Sequence, residues 1–303
     1  MIELKDLMLL TALARHKHFA KAAADCGMSQ PAFSMRIRNL EERLGLSIVR
    51  RANRFQGLTE EGMMIVRRAR SILDDAKALE QEIAATRGEV SGTLVLGVVP
   101  TATAWAAQLV DQVHQAYPRI LAQVEVTTSL AIQQRLYDGT IDAGITYADG
   151  IGRELVTVQP LYEESYVLLA PEDMVAERGD TISWAEAAEL PLSLLDQQMQ
   201  NRRILDRIFA DLGLKPEIVS ESNGFMASMV LAREGSAATI LPRALMQALG
   251  ELGGTRVLAL VEPEQARPIC IATLDRTPEL TTVRALKEVV ATFVDDRMPQ
   301  MAS

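Results

Sequence analysis

The stretch SQPAFSMRIRNLEERL, Ser29 to Leu44, decides the fold. Coiled as a helix, it puts Phe33, Ile37, Leu40 and Leu44 on one face, because they recur at steps of four, three and four. Gln30, Ser34 and Arg38 recur every four residues on another face, a polar stripe ending in a cation. Ser29 suits the N-cap, and Pro31 falls in the first turn, where its missing N–H breaks no helical bond. One buried face and one Gln/Ser/Arg face give the form of a recognition helix, able to offer donors and acceptors to base edges in a major groove. An ordinary amphipathic helix with a solvated face explains this segment alone equally well.

The flanks tip the balance. Phe19 to Met28, FAKAAADCGM, reads as a short Ala-rich helix and a tight turn at Gly27, and Ala22 and Ala23 let a second helix cross closely. Together with Ser29 to Leu44 this is helix, turn and helix. Leu4 to Arg15 supplies a third helix, with Leu7, Leu10 and Leu13 on one side. Beyond Gly45, Ile48–Val49 is a short strand, Arg50 to Arg54 is basic and Gly57 permits a turn. This is a wing, with Arg51 and Arg54 placed for phosphates or a minor groove.

Here the chain resembles the LysR-type transcriptional regulators, through AAADCGMSQPAFSMRIRNLEERLG, IVRRANR and LTEEG. The resemblance runs through the linker helix and, more loosely, the whole C-terminal part. Cys26 stands where the family usually has Leu, Val49 where it usually has Phe, and Glu61 where it usually has a small residue. The first two bear on packing rather than on DNA contacts. The resemblance implies that Gln30, Pro31, Ser34, Arg38, Arg51 and Arg54 face DNA; Ser29 and Arg36 complete the expected set.

A net charge of −9 over 303 residues argues at first against a nucleic-acid binder, but its distribution does not. Residues 1–58 carry +5, which leaves −14 for the remainder. A basic end can hold phosphates while an acidic body stays clear of the duplex. No apolar run reaches the roughly 20 residues needed to span a bilayer, and MIELKDL lacks the features of a signal peptide. Two distant cysteines, Cys26 and Cys270, fit a reducing cytoplasm without a disulfide. A small apolar role for Cys26 is the simpler reading than a redox sensor.

From Thr59 to about Thr86, Ile65, Ala69, Ile72, Ala76, Leu79 and Ile83 repeat at alternating steps of four and three. That heptad seam asks for a partner helix and reads as a dimerisation helix, although packing on the chain's own body would follow the same periodicity. Gly88 and Ser91–Gly92 form a hinge. Strands and helices then alternate. Leu94 to Val99, QVEVTT and Ala143 to Tyr147 are strands, with helices at Ala104 to Tyr117 and Leu130 to Asp138 between them. This order predicts a parallel, doubly wound sheet. A second unit holds strands at Tyr166 to Ala170, Pro191 to Leu195, EIVSE, ATILP and Arg256 to Leu260. Its helices are Arg202 to Leu212, Gly224 to Arg233 and Pro242 to Leu249. Pro268 to Thr273 returns to the first unit, and Glu279 to Asp295 is a terminal helix.

The expected architecture is α/β: a winged helix-turn-helix (1–58), a linker helix (59–90) and a two-lobed effector domain (91–297). The plan resembles periplasmic binding proteins, with lobe 1 at 91–162 and 268–297 and lobe 2 at 163–267.

Ligands of open α/β sheets gather at the carboxyl ends of strands, against helix N-termini. Hydroxyls stand there at Thr101, Thr103, Thr128, Ser129, Thr146 and Tyr147. Lobe 2 offers Gln200, Arg202, Asn223 and Phe225 at two helix starts. Hydroxyls with helix amides favour a small anion, and Arg202 or Arg203 could add a bidentate cation. Simple N-capping explains any one of these Ser, Thr or Asn residues equally well. The resemblance implies that Thr101, Thr103, Ser129, Thr146 and Phe225 border an effector pocket.

Enzyme readings find little support. There are three histidines, all before residue 115, and neither a GxGxxG after the first strand nor a Walker pattern. No metal or cofactor is expected. The expected protein is a cytoplasmic, ligand-responsive DNA-binding regulator sensing a small, anionic metabolite, dimeric through its linker helix. The family resemblance implies a homotetramer. The competing reading is a small-molecule-binding or enzymatic α/β protein whose N-terminal helices only mediate assembly.

Overall fold

The computed structural model describes residues 2–51, 55–86, 90–152 and 156–297. The chain divides into two compact units, 1–88 with Pro278–Thr281, and 89–277 with 282–303.

The first unit comprises α1 (Leu4–His16), α2 (Phe19–Asp25), α3 (Gln30–Leu44), a hairpin of β1 (Val49–Arg51) and β2 (Phe55–Leu58), and α4 (Glu60–Ala85). Phe33, Ile37 and Leu40 of α3 are fully buried against Leu9, Leu10 and Leu13 of α1 and Ala22 and Ala23 of α2. The period-3.6 reading of α3 therefore holds, and Ser29 caps the helix by accepting from the Ala32 N–H. Thr59 Oγ1 donates to the Ser47 carbonyl (2.7 Å) and accepts from the Gly62 N–H (2.9 Å), which ties the start of α4 to the residues before the wing. A Cβ on Gly62 would lie 2.2 Å from the Ile48 carbonyl oxygen, so only glycine allows this approach. The family departures are absorbed locally: Val49 is buried, Cys26 packs half-buried against the same core, and Glu61 is exposed.

The second unit begins with β3 (Gly92–Val98), α5 (Thr103–Ala116), β4 (Ile120–Val126), α6 (Ser129–Tyr137) and β5 (Ala143–Tyr147). The long β6 (Val156–Pro171) follows, then β7 (Thr181–Ser183), α7 (Trp184–Ala188), β8 (Leu192–Leu195) and α8 (Gln200–Asp211). The rest is β9 (Ile218–Ser222), α9 (Phe225–Arg233), β10 (Thr239–Pro242), α10 (Arg243–Leu249), β11 (Thr255–Val261), β12 (Ala266–Leu274) and α11 (Thr281–Arg297). The main sheet runs β4-β3-β5-β12-β6-β11-β7, with β10 also on β6.

The parallel β4-β3-β5 core matches the βαβαβ expectation. The sheet as a whole does not: β12 lies antiparallel between β5 and β6, so it is mixed rather than parallel and doubly wound. The 16-residue β6 joins the lobes. Its residues 156–165 pair with β12 in lobe 1, and Tyr166 onward pairs with β10 and β11 in lobe 2. The sequence reading finds only the second half of this strand.

Candidate functional site

In the first unit, burial sorts α3 into two sets. Ser29, Gln30, Pro31 and Arg38 are exposed, and Ser34 is half-buried beside them. Arg38 makes no ion pair among the described residues. Arg36 differs from this expectation. Its Nε donates to Asp6 Oδ1 (3.1 Å) and its Nη2 to Glu3 Oε2 (2.8 Å), while Arg43 takes Asp6 Oδ2. Arg36 is thus committed to bracing α3 against α1. Burial alone would raise the Asp6 carboxyl, but hydrogen bonds from Arg43, the Glu3 backbone and Arg36 outweigh it and hold it below its ordinary value. Arg51 lies in β1 and Arg50 is exposed beside it; Arg54 lies outside the described residues.

α4 divides its seam. Ala69 is buried and Ile65 half-buried, the latter against the head core, whereas Ile72, Leu79 and Ile83 are exposed. Leu79 keeps 58% of its surface in solvent.

In the second unit, Tyr162, Glu164 and Tyr166 alternate along β6 and so stand on one face of the sheet. Tyr147 of β5 meets them: its hydroxyl donates to Glu164 Oε1 at 2.5 Å and contacts Thr101 Oγ1 at 3.1 Å. A phenol has one proton, so Thr101 is the donor to Tyr147. Glu164 is 1% exposed, and burial pushes its carboxyl up to about 7. The hydroxyls of Tyr147, Thr101 and Tyr166 favour the charged form without offsetting that burial. Only Tyr147 completes a well-formed hydrogen bond to it, and Glu164 Oε2, Tyr162 Oη and Tyr166 Oη have no partner among the described residues. Unpaired buried groups of this kind cost about 1–3 kcal/mol each.

Thr146 and Ser129 form a second polar group. A Cβ on Gly144 would run into Ile132 and Leu136 of α6, so the even-numbered face of β5, Thr146 included, looks towards α6. Ser129 opens that helix, and both hydroxyls are buried without partners. Asn201, in the first turn of α8, is 2% exposed with neither amide atom paired.

Other expected ligand residues are occupied. Thr128 caps α6 and Thr103 donates to the Pro100 carbonyl. Arg202 is buried between Asp206 (2.7 Å), Glu221 (2.6 Å) and the Leu195 carbonyl, so it is no free clamp for an anion. Phe225 packs with Val167, Leu169 and Met229 in the core of lobe 2. Gln200 is half-buried and Asn223 exposed.

Comparison with known proteins decides what these features belong to. Residues 4–63 match the bacterial regulatory helix-turn-helix protein family, lysR type, and residues 87–294 match the LysR substrate binding domain. The chain belongs to the LysR family of transcriptional regulators. OxyR of Escherichia coli K12, a DNA-binding transcriptional dual regulator, is 26% identical over 296 residues, 97% of this chain and 96% of its own. A full-length OxyR variant from Pseudomonas aeruginosa superimposes with a TM-score of 0.74 at 23% identity, covering 98% of this chain and 95% of that one. Full-length CbnR in complex with its target DNA gives 0.65 at 21% identity, covering 96% and 99%.

In this LysR-family chain the sequence reading misses Glu164, Tyr162, Tyr166 and Asn201. The one signal available for the first three is their spacing, Tyr-x-Glu-x-Tyr, which on a strand places them together. Among the described residues, no three His, Cys, Asp or Glu side chains gather as a metal site, and no helix is long and apolar enough to cross a membrane.

Proposed function

We propose that this regulator reads double-stranded DNA with the exposed face of α3, led by Gln30, Pro31, Ser34 and Arg38, while the wing cations hold phosphates. The observation that carries this is the exposed stripe with an unpaired Arg38, set on a helix whose other side is fully committed to the core. Two copies join through Ile72, Leu79 and Ile83 of α4, and pairs of dimers form the tetramer. The protein works in the cytoplasm and catalyses no reaction.

The second unit takes a small anionic effector. Supporting this are buried polar groups at the first turns of α6 and α8 and on the sheet: Ser129, Thr146 and Asn201, which have no partner among the described residues, and Glu164, whose Oε2 is unpaired beside the Thr101–Tyr147 hydrogen bond. Binding shifts the arrangement of the two lobes, which requires different affinity for the two arrangements. Several relatives are named hydrogen peroxide-inducible genes activators. Peroxide chemistry runs through an accessible thiolate. Here Cys270 is fully buried in β12, and burial raises the Cys26 thiol, which favours a non-covalent effector.

The experiment is a titration of promoter fragments at two salt concentrations. Phosphate contacts by the head give a steep inverse dependence of affinity on salt. An assembly module would bind DNA weakly and without sequence preference.

A further inference from the structure

The proposed effector is an anion, yet the same site buries a carboxyl group. On that reading of the pocket, we propose that protonated Glu164 donates a hydrogen bond from Oε2 to the effector anion, so that effector binding takes up one proton.

Geometry carries the assignment. Oε1 is occupied by the Tyr147 hydroxyl, which already receives the Thr101 proton. Oε2 completes no hydrogen bond, and neither do the hydroxyls of Tyr162 and Tyr166 on the same face of β6, of which Tyr166 lies near enough to favour the charged carboxyl. A carboxylate there would face an incoming anion with like charge and a bare lone pair. A carboxylic acid presents a donor, and the neighbouring phenols add two more. The groups around Glu164 are Tyr147 from β5, Thr101 from the turn after β3, Tyr162 and Tyr166 from β6 itself, and Arg267 from β12. Arg267 is its register partner, and its charge reaches Tyr166. Arg243 of α10 donates to Ser165, the next residue along the strand. The three phenols are held protonated far above neutral pH by burial, so Glu164 is the group in this set that changes charge near pH 7. Burial raises it to about 7, which makes the acid form available at neutral pH without a large penalty.

The test uses the full-length protein with sulfate, phosphate, acetate and succinate as probes. Calorimetric titration in two buffers of different ionisation enthalpy reads proton uptake directly. For the probes that bind, one proton is taken up per anion above pH 7, and affinity falls about tenfold per pH unit there. Glu164→Gln keeps a donor in place of the acid; it retains binding at pH 8 and loses both the proton uptake and the pH slope. Anion binding with no proton uptake by the wild type overturns the proposal, and so does a pH slope unchanged in Glu164→Gln. Thr101→Val separates the two levels. If anions bind independently of pH and Thr101→Val abolishes that binding, the pocket stands and the role of Glu164 falls. If none of the four probes binds at any pH, both fall.

Discussion

On α3, the side chains assigned to DNA are those the core leaves out: Gln30, Pro31 and Arg38 stay in solvent while Phe33, Ile37 and Leu40 disappear. On β6 the relation is reversed. Glu164 is drawn into the interior against its nature, and the atoms proposed to meet the effector are the ones left unpaired there. A duplex is a large, charged partner that must be met at a surface, so its readers are exposed and held from behind. A small effector is enclosed, so its readers are buried polar groups whose unmet bonds await it. The first kind of site is built on surplus polarity outside, the second on a deficit inside.

The outward-facing side of this contrast is broken most severely at α4. Leu79, with Ile72 and Ile83, is apolar where the head presents polar groups, which fits a partner helix rather than water or DNA. Burying each such side chain stabilises by about 1.5–3 kcal/mol, and a symmetric dimer counts each twice. Leu79→Asp raises the dimer dissociation constant by about a hundredfold or more on that basis. Sedimentation equilibrium measures it, and an unchanged constant removes α4 as the interface.

The two buried acids sharpen the contrast through opposite responses to pH. Glu164 is raised in the folded state, so its stabilising contribution is complete below its unfolded value and is lost as pH rises to about 7. By the energy of a pKa unit this is about 3 kcal/mol. Chemical denaturation followed in the second unit becomes easier from pH 5 to 8, and Glu164→Gln flattens that trend. Asp6 is lowered, so its contribution is complete above its unfolded value and disappears as acid is added below about pH 4. Asp6→Ala leaves Arg36 and Arg43 without their shared partner. Because both arginines are partly solvated, the loss is about 2 kcal/mol, below the range for fully buried pairs. A melt of the head that is insensitive to this substitution contradicts the bracing role.

How far each region is legible in the sequence follows from the same contrast. The recognition helix shows itself because burying one face of a helix imposes a 3.6-residue period, and Phe33, Ile37, Leu40 obey it. The β3 and β5 strands show themselves by largely apolar stretches between helices, and β4 only by QVEVTT, which covers its second half. The first half of β6 does not. VTVQPLYEESY carries Pro160 near a register shift and two adjacent acids, of which Glu163 faces out and Glu164 in. Only the phase of the strand tells them apart. Arg202 is half legible: Asp206 lies one turn on, whereas Glu221 reaches it from another element. Arg36 is opaque for that reason too, since Asp6 is thirty residues away. In lobe 2 the reading selects Gln200 and Arg202, while the buried, unpaired side chain is Asn201 between them. A helix start fixes which turn meets a ligand but not which residue of the turn.

The smallest expected effect separates two arginines on one helix. Arg36 and Arg38 are two positions apart, similar in sequence, and expected to act alike on residue type alone. The structure gives Arg36 two carboxylate partners and gives Arg38 solvent. If α3 reads DNA as proposed, Arg38→Ala costs about 1–2 kcal/mol, or roughly tenfold in operator affinity, with relaxed preference between operator variants. The melting temperature of Arg38→Ala stays that of the wild type. Arg36→Ala does the reverse: the head melts lower, while affinity per folded molecule changes little. Gel-shift titration against operator and scrambled fragments, normalised to the folded fraction, reads both. Equal loss of specificity from the two substitutions makes Arg36 a DNA contact after all. That result would place the division on α3 between buried and exposed faces only, with no distinction between braced and free cations.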